Sequence, residues 1–135
     1  MQKRCAIVCV DDDEMILDSL KQELMAHFNV RYRYEFALNA VEALQLIDEL
    51  VADSINIILI ITDWVMPGMN GDEFLLHVHA KYPDIQTIVV TGYADVLAIS
   101  KARNKINLNG LITKPWSSDE LIQKVESVIG SKNIN

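Results

Sequence analysis

Residues Ile57–Asp63 read IILIITD, and this stretch decides the fold of the 135-residue chain. Five consecutive aliphatic residues are typical of a strand that is buried on both faces, as in a parallel sheet covered by helices. The run stops at the carboxylate of Asp63, which is costly to bury unless the protein uses it. The stretch therefore predicts a central strand that carries a functional acid at its carboxyl end.

Further strand and helix patterns alternate on either side of this stretch. Strand-like segments occur at Cys5–Val10, Arg31–Phe36, Ile85–Val90 and Gly110–Thr113. Helical spacing of apolar residues is found in Glu14–Phe28, Asn39–Leu50, Phe74–Tyr82, Ala94–Asn104 and Ser117–Ile129. Asn39 and Ser117, each followed three residues later by Glu, are predicted to cap two of these helices. Such alternation predicts right-handed crossover connections between parallel strands. We therefore expect an α/β fold with a doubly wound, five-stranded parallel sheet and helices on both faces.

The composition is that of one ordinary domain. Half of the residues are hydrophobic, which is enough to form a core without disulfide bonds. We expect one domain over residues 1–130, followed by a short polar tail over residues 131–135. The formal net charge of −7 argues against a surface that binds nucleic acid or an anionic membrane.

The first residues and the cysteines indicate a cytoplasmic protein. A run of only six apolar residues, Cys5–Val10, precedes Asp11, which is too short for the core of a signal peptide or for a membrane span. The two cysteines, Cys5 and Cys9, lie in one short apolar run and do not form a disulfide framework. Free cysteines of this kind suit a reducing compartment. We therefore expect cytoplasmic localisation and no membrane partner.

Polar side chains with related chemistry follow four of the five predicted strands. They are Asp11 and Asp12, Asp63, Thr91, and Lys114. The carboxyl ends of parallel strands lie on one edge of a sheet, so these groups should meet there. Three clustered carboxylates repel one another unless a hard cation such as Mg²⁺ neutralises them. Asp63 can then act as a nucleophile that forms an acyl phosphate, with Thr91 and Lys114 binding the phosphoryl oxygens.

These residues belong to four ordered blocks, Val10–Glu14, Thr62–Gly71, Val90–Ala94 and Thr113–Trp116. In these blocks, and over nearly its whole length, the chain resembles the receiver domains of two-component response regulators. The resemblance implies a flavodoxin-like sheet with the strand order 2-1-3-4-5. It also implies a signalling domain rather than an enzyme, with only self-catalysed phosphotransfer and dephosphorylation.

The resemblance implies a specific set of ligands for Mg²⁺. Asp12 and Asp63 would bind the metal directly, and Asp11 would act largely through water. The backbone carbonyl of Val65 would complete the protein ligands.

The resemblance also implies how the site is used. Asp63 would receive its phosphoryl group from a histidine kinase or a phosphotransfer protein, and Thr91 and Lys114 would then contact that group. The Lys114-Pro115 peptide bond is expected to be cis, an option essentially reserved for bonds to proline. An output domain or partner protein would be switched through the face formed by the fourth helix, the fifth strand and the fifth helix.

Two positions, Leu111 and Val65, depart from the pattern of the family. Many members carry Phe or Tyr three residues before the lysine, whereas this chain has Leu111, so the usual aromatic relay is not expected. Tyr93 could instead gate the phosphoryl group or report its presence. Val65 has no amide or acid to position an attacking water, so its side chain should not accelerate dephosphorylation.

Two other interpretations remain open at this point. The first is a phosphohydrolase that forms an aspartyl phosphate, although such enzymes commonly need an acid at the position of Val65. The second is a receiver-like interaction module that is not phosphorylated.

His77 and His79 are two residues apart on a helix, so they cannot chelate one metal, and we expect both at the surface. The sequence leaves open whether the chain is part of a longer protein and whether it forms a homodimer.

Overall fold

The computed structural model describes residues 4–102 and 108–133, with side chains up to residue 130. Five strands form one sheet: β1 (Cys5–Val10), β2 (Arg33–Ala37), β3 (Asn56–Thr62), β4 (Gln86–Gly92) and β5 (Gly110–Lys114). All neighbouring strands are parallel, and their order is β2-β1-β3-β4-β5. The predicted flavodoxin-like strand order is confirmed.

Five α-helices connect and follow the strands: α1 (Glu14–Phe28), α2 (Ala40–Ala52), α3 (Gly71–Lys81), α4 (Val96–Ala102) and α5 (Ser118–Asn133). Two short 3-10 turns, Asn29–Arg31 and Tyr93–Asp95, precede β2 and α4. Within the described ranges, no helix is long and apolar enough to cross a membrane.

Several predicted helix ends differ from the structure by a few residues, among them those of the fourth and fifth helices. The fourth helix was expected over Ala94–Asn104, but its α-helical part begins at Val96, after the 3-10 turn. The last part of that prediction falls in residues 103–107, outside the described residues. Helix α5 continues to Asn133 rather than ending near Ile129, so it includes the first three residues of the predicted tail. The domain boundary at residue 130 stays a prediction.

The sheet is buried on both faces, as its continuous apolar runs predict. One cluster packs Val8 and Val89 of the sheet against Ile47 of α2, Phe74 of α3 and Ile99 of α4. All five side chains are at most 1% exposed. Alternate residues of the same strands point to the other face of the sheet, because side chains alternate along a strand.

The second cluster lies under α1 and α5. It packs Ile7 and Ile61 of the sheet against Leu20 of α1 and Val125 of α5. Burying a large aliphatic side chain contributes about 1.5–3 kcal/mol, so these two clusters hold the five strand ends in a fixed arrangement.

The predicted helix caps are present. Asn39 Oδ1 accepts a hydrogen bond from the Glu42 amide at 2.8 Å, and Ser117 Oγ accepts one from the Glu120 amide at 3.1 Å. The Glu42 carboxylate accepts a bond from the backbone amide of Leu38 at 3.1 Å, one residue before the cap. Satisfied first-turn amides fix where each helix begins.

Candidate functional site

The acidic turn after β1 is held by backbone and side-chain hydrogen bonds. The Asp11 amide donates to the carbonyl of Ala37 at 3.2 Å, which ties the turn to the end of β2. Asp11 Oδ1 accepts a bond from the Asp13 amide at 2.9 Å, and Asp13 in turn caps α1 by accepting one from the Met15 amide at 2.9 Å. Asp11 is only 2% exposed, whereas Asp12 is exposed. The turn therefore buries one carboxylate and presents the next to solvent.

Asp63 follows β3 and is held just as firmly. Its amide donates to the carbonyl of Val10 at 3.0 Å, which places it beside the acidic turn. Its Oδ1 atom accepts a hydrogen bond from the Trp64 amide at 2.7 Å, and its side chain is 10% exposed. One carboxylate oxygen is thus fixed by the backbone, and the other is directed towards the rest of the site.

Lys114, at the end of β5, contacts two of the three acids. Its Nζ atom lies 3.0 Å from Asp11 Oδ2 and 3.2 Å from Asp63 Oδ2. Burial of the ammonium lowers the pKa of Lys114, but hydrogen bonding to Asp11 and the charges of Asp11 and Asp63 outweigh it and raise that pKa above its usual value. Lys114 is therefore positively charged at neutral pH.

The charges of the site do not balance. Carboxylate oxygens of Asp11, Asp12 and Asp63 all lie within 4.8 Å of one another. Burial raises the pKa of Asp11, and the hydrogen bonds from the Asp13 amide and Lys114 only partly offset it. One ammonium against three carboxylates leaves an excess of negative charge. A hard divalent cation with oxygen ligands fits this donor set.

The structure places the other predicted site residues at the same edge of the sheet. Thr91 is 1% exposed, and it pairs with Thr113 in the register of β4 and β5, next to Lys114. Val65, two residues after Asp63, is half exposed. The Lys114-Pro115 bond is cis, as predicted.

Tyr93 and Leu111 differ in their environments. Tyr93 is 82% exposed at the start of its 3-10 turn, beyond the end of β4. Leu111 is half-buried, pairs with Val89 in the sheet, and packs against the cluster that contains Ile99 of α4. Leu111 therefore packs on the face of the sheet that α2, α3 and α4 cover, and no aromatic ring stands at this position.

Gly71, the first residue of α3, supports the site. Its amide donates to the carbonyl of Trp64 at 2.6 Å. A Cβ atom at this position would lie 2.7 Å from the carbonyl oxygen of Asp63 and 2.9 Å from Cα of Trp64. Both atoms belong to the backbone and cannot move away cheaply, so only glycine lets α3 start this close to Asp63. The Asn70-Gly71 pair at a helix start was the signal in the sequence.

Comparison with known proteins is consistent with this geometry. A family model for the response regulator receiver domain matches residues 7–126. The chain belongs to this family. Receiver domains are signalling domains of two-component systems, so the family assignment inferred from the four sequence blocks is confirmed.

Individual relatives resemble this receiver domain over almost all of its length. The hydrogenase transcriptional regulatory protein HoxA of Cupriavidus necator is 32% identical over 98% of this chain, but the chain spans only 26% of HoxA. A chemotaxis protein CheY homolog of Campylobacter jejuni is 32% identical, over 93% of this chain and 92% of the relative. Similar domains thus occur both inside longer regulators and as nearly entire proteins.

A solved structure shows the same fold. The signal receiver domain of an HD domain-containing protein from Pseudomonas fluorescens Pf-5 superposes with a TM-score of 0.82 at 32% sequence identity. The match covers 96% of this chain and 98% of the solved one.

Proposed function

We propose that this receiver domain takes a phosphoryl group on Asp63, from a histidine kinase or a phosphotransfer protein, in a reaction that requires Mg²⁺. The observation that carries the proposal is the contact of Lys114 Nζ with both Asp11 and Asp63 at 3.0 and 3.2 Å, within a cluster of three carboxylates. A charged lysine and a cation site at the same carboxylate supply the positive charge that stabilises a phosphoryl group during transfer.

The chemical step follows from the hydrogen bonds of Asp63. The Trp64 amide holds Oδ1 at 2.7 Å, so we assign Oδ2 as the attacking oxygen. A bond forms between that oxygen and phosphorus while the phosphorus–nitrogen bond of the donor's phosphohistidine breaks. The donor imidazole keeps the electron pair of the broken bond and takes up a proton. In this assignment Asp63 stays oriented by the backbone through Oδ1 while Oδ2 reacts.

Asp11, Asp12 and Asp63, with the Val65 carbonyl, would hold Mg²⁺. When bound, the ion neutralises negative charge on the carboxylates and on the phosphoryl oxygens. The Lys114 ammonium, which now pairs with Asp63, would pair with a phosphoryl oxygen after transfer, and the Thr91 hydroxyl would donate a hydrogen bond to another.

The consequence would be a switch between two states. The state in which Thr91 and Lys114 contact the phosphoryl group would be favoured after transfer. We propose that an output domain or partner reads this change on the α4-β5-α5 face, in the cytoplasm. Free, unpaired Cys5 and Cys9 agree with a reducing compartment. Val65 brings no acid to the site, so nothing favours a phosphohydrolase.

Incubation with acetyl phosphate and Mg²⁺ tests the proposal. We expect one phosphoryl adduct by intact mass, which hydroxylamine removes and EDTA prevents from forming. Asp63→Asn should abolish it, whereas Asp53→Asn, an exposed acid after α2, should not. Absence of an adduct on the wild-type chain, or an adduct that survives Asp63→Asn, would overturn the proposal.

A further inference from the structure

A hydrogen bond between two distant parts of the chain lies beside the site without touching it. Trp116 Nε1 donates to Glu23 Oε1 at 3.0 Å, across 93 residues of sequence. Both side chains are half-buried, and the indole packs against the cluster under α1 and α5. A carboxylate acceptor makes this bond stronger than one between neutral groups.

The hydrogen bond joins helix α1, which follows the acidic turn, to the loop that follows Lys114. Glu23 lies in α1, the helix that begins directly after Asp11 and Asp12. Trp116 lies two residues after Lys114, between the end of β5 and the start of α5. The bond therefore ties the lysine-bearing loop to the helix that follows the acidic turn.

We propose that Glu23 is a positioning residue for Lys114, which acts through Trp116 to hold the ammonium between Asp11 and Asp63. A lysine has four rotatable carbon–carbon bonds and no fixed geometry of its own, so its reach depends on where its backbone is held. On the far side of Lys114 the strand pairing of β5 fixes the backbone, and on this side the Trp116–Glu23 bond does so. This inference rests on the proposed function.

Weaker positioning of Lys114 should strengthen Mg²⁺ binding. The Lys114 ammonium and a divalent cation compete for the same carboxylates, because both are positively charged and both approach Asp11 and Asp63. If Lys114 is held less firmly, its ammonium spends less time between Asp11 and Asp63. The carboxylates are then less often paired with Lys114, so the cation should bind more tightly. The same loosening should slow phosphoryl transfer, because the ammonium is less often in place to receive the phosphoryl oxygens.

Matched variants separate the hydrogen bond from the charge of Glu23. Glu23→Gln removes the charge but keeps the acceptor oxygen, and Glu23→Ala removes both. We expect Glu23→Ala to bind Mg²⁺ about threefold to tenfold more tightly than Glu23→Gln, the range set by a single hydrogen bond. Transfer from acetyl phosphate should slow by a similar factor. Magnesium affinity is read by titration of the backbone amides in NMR spectra, which needs no phosphoryl transfer.

Two further variants test the route through Trp116 and Lys114. Trp116→Phe keeps a ring but removes the donor, and in that background Glu23→Ala and Glu23→Gln should bind Mg²⁺ equally. In a Lys114→Ala background, Glu23→Ala and Glu23→Gln should also bind Mg²⁺ equally. If Glu23 had only a structural effect, the difference in affinity between them would remain in that background. Glu126→Ala is the control, since it removes the 3.1 Å contact of Glu126 in α5 with His27 in α1, away from the loop that carries Trp116.

The outcomes distinguish this inference from the proposed function. If the wild type forms the adduct but Glu23→Ala matches Glu23→Gln in affinity and rate, positioning by Glu23 is wrong. If the wild type binds Mg²⁺ but forms no adduct, the proposed function fails, and the affinities still decide the role of Glu23. If Glu23→Ala does not fold, the comparison of the wild type with Trp116→Phe, which both keep the Glu23 charge, replaces it, and equal affinities would contradict the inference.

Discussion

Lys114 places one ammonium against the carboxylates of Asp11, Asp12 and Asp63. Two effects oppose each other at this site, since the ammonium stabilises the buried acids but repels the cation that they attract. The balance decides how tightly Mg²⁺ binds in the resting state. Two predictions at the scale of single residues follow from this balance.

Lys114→Ala should strengthen Mg²⁺ binding and weaken the response to phosphorylation. Removing a unit charge within a few ångströms of the cation site should tighten binding at least tenfold, since tenfold needs only about 1.4 kcal/mol and two such charges repel by a few kcal/mol in a partly buried site. Titration of the backbone amides by NMR measures the affinity. Lys101→Ala, an exposed lysine in α4, removes the same charge and should leave the affinity nearly unchanged. Weaker binding by Lys114→Ala would contradict the competition between the two cations.

Asp11→Asn should change how stability depends on pH when divalent cations are removed by EDTA. Burial holds the pKa of Asp11 above its usual value of 3.8, so ionisation of Asp11 costs the folded state stability as the pH rises through this raised pKa. The variant lacks that loss, so its Tm relative to the wild type should increase with pH above about 4 and then level off. Asp18→Asn, an exposed acid of α1, serves as the control. A Tm difference that falls with pH would contradict the role assigned to burial.

At the scale of the elements, the residue at which helix α3 begins determines how close the helix lies to Asp63. Helix α3 starts at Gly71, whose missing side chain lets the helix approach Asp63. The loop before it closes on itself, because Asn70 Oδ1 accepts a bond from the Met66 amide at 3.3 Å. The start of α3 thus sets the position of the loop that follows Asp63.

Gly71→Ala should destabilise the fold and disturb the site together. The added Cβ would lie 2.7 Å from the Asp63 carbonyl oxygen, and such overpacking typically costs about 1–3 kcal/mol. Thermal or urea unfolding measures the loss, and Mg²⁺ affinity should fall with it. Gly130→Ala in α5 is the matched control, because a Cβ there meets nothing within 4 Å and alanine favours a helix by about 0.5–1 kcal/mol. Equal effects of the two substitutions would contradict the packing argument.

The sequence predicted most elements because their patterns are local. The buried run Ile57–Asp63 and the capping residues Asn39 and Ser117 each depend on near neighbours, and all are confirmed. Strand β2 was expected from Arg31 but begins at Arg33, since a 3-10 turn spans Asn29–Arg31 and begins at an asparagine whose φ angle is 55°. A positive φ at a single asparagine is too weak a signal to shift a strand boundary.

Long-range side-chain contacts were beyond prediction from sequence patterns. The hydrogen bond between Trp116 and Glu23 joins residues that no local pattern relates. His79 was expected at the surface but is half-buried, with Nε2 at 3.2 Å from the carbonyl oxygen of Ile85, while His77 is exposed as predicted. Such contacts depend on how α1 and α3 pack on the sheet, which is decided by the whole core.

At the scale of the molecule, the parallel sheet brings the site together. Acids after β1 and β3, a hydroxyl on β4 and an ammonium on β5 meet because all the strands point the same way. The topology made Asp11, Asp63 and Lys114 predictable as neighbours. It did not predict that Lys114 bridges both acids, because that depends on the rotamer of one long side chain.

Magnesium should stabilise the whole fold, because the ligands come from both β1 and β3. At ten times its dissociation constant, a ligand that binds only the folded state contributes about 1.4 kcal/mol. For a chain of this size the Tm should rise by roughly 3–5 °C. Sodium chloride at equal ionic strength is the control, and Asp12→Asn should reduce the shift. An equal rise with sodium alone would contradict a specific site.

The central claim is that Asp63 is the residue that carries the phosphoryl group. Borohydride reduces an acyl phosphate of aspartate to homoserine, so peptide mass spectrometry after reduction locates the phosphorylated residue. With acetyl phosphate and Mg²⁺, we predict homoserine at position 63, and its absence when EDTA replaces the metal. Homoserine at position 11 or 12, or at none of the three positions, would contradict the account.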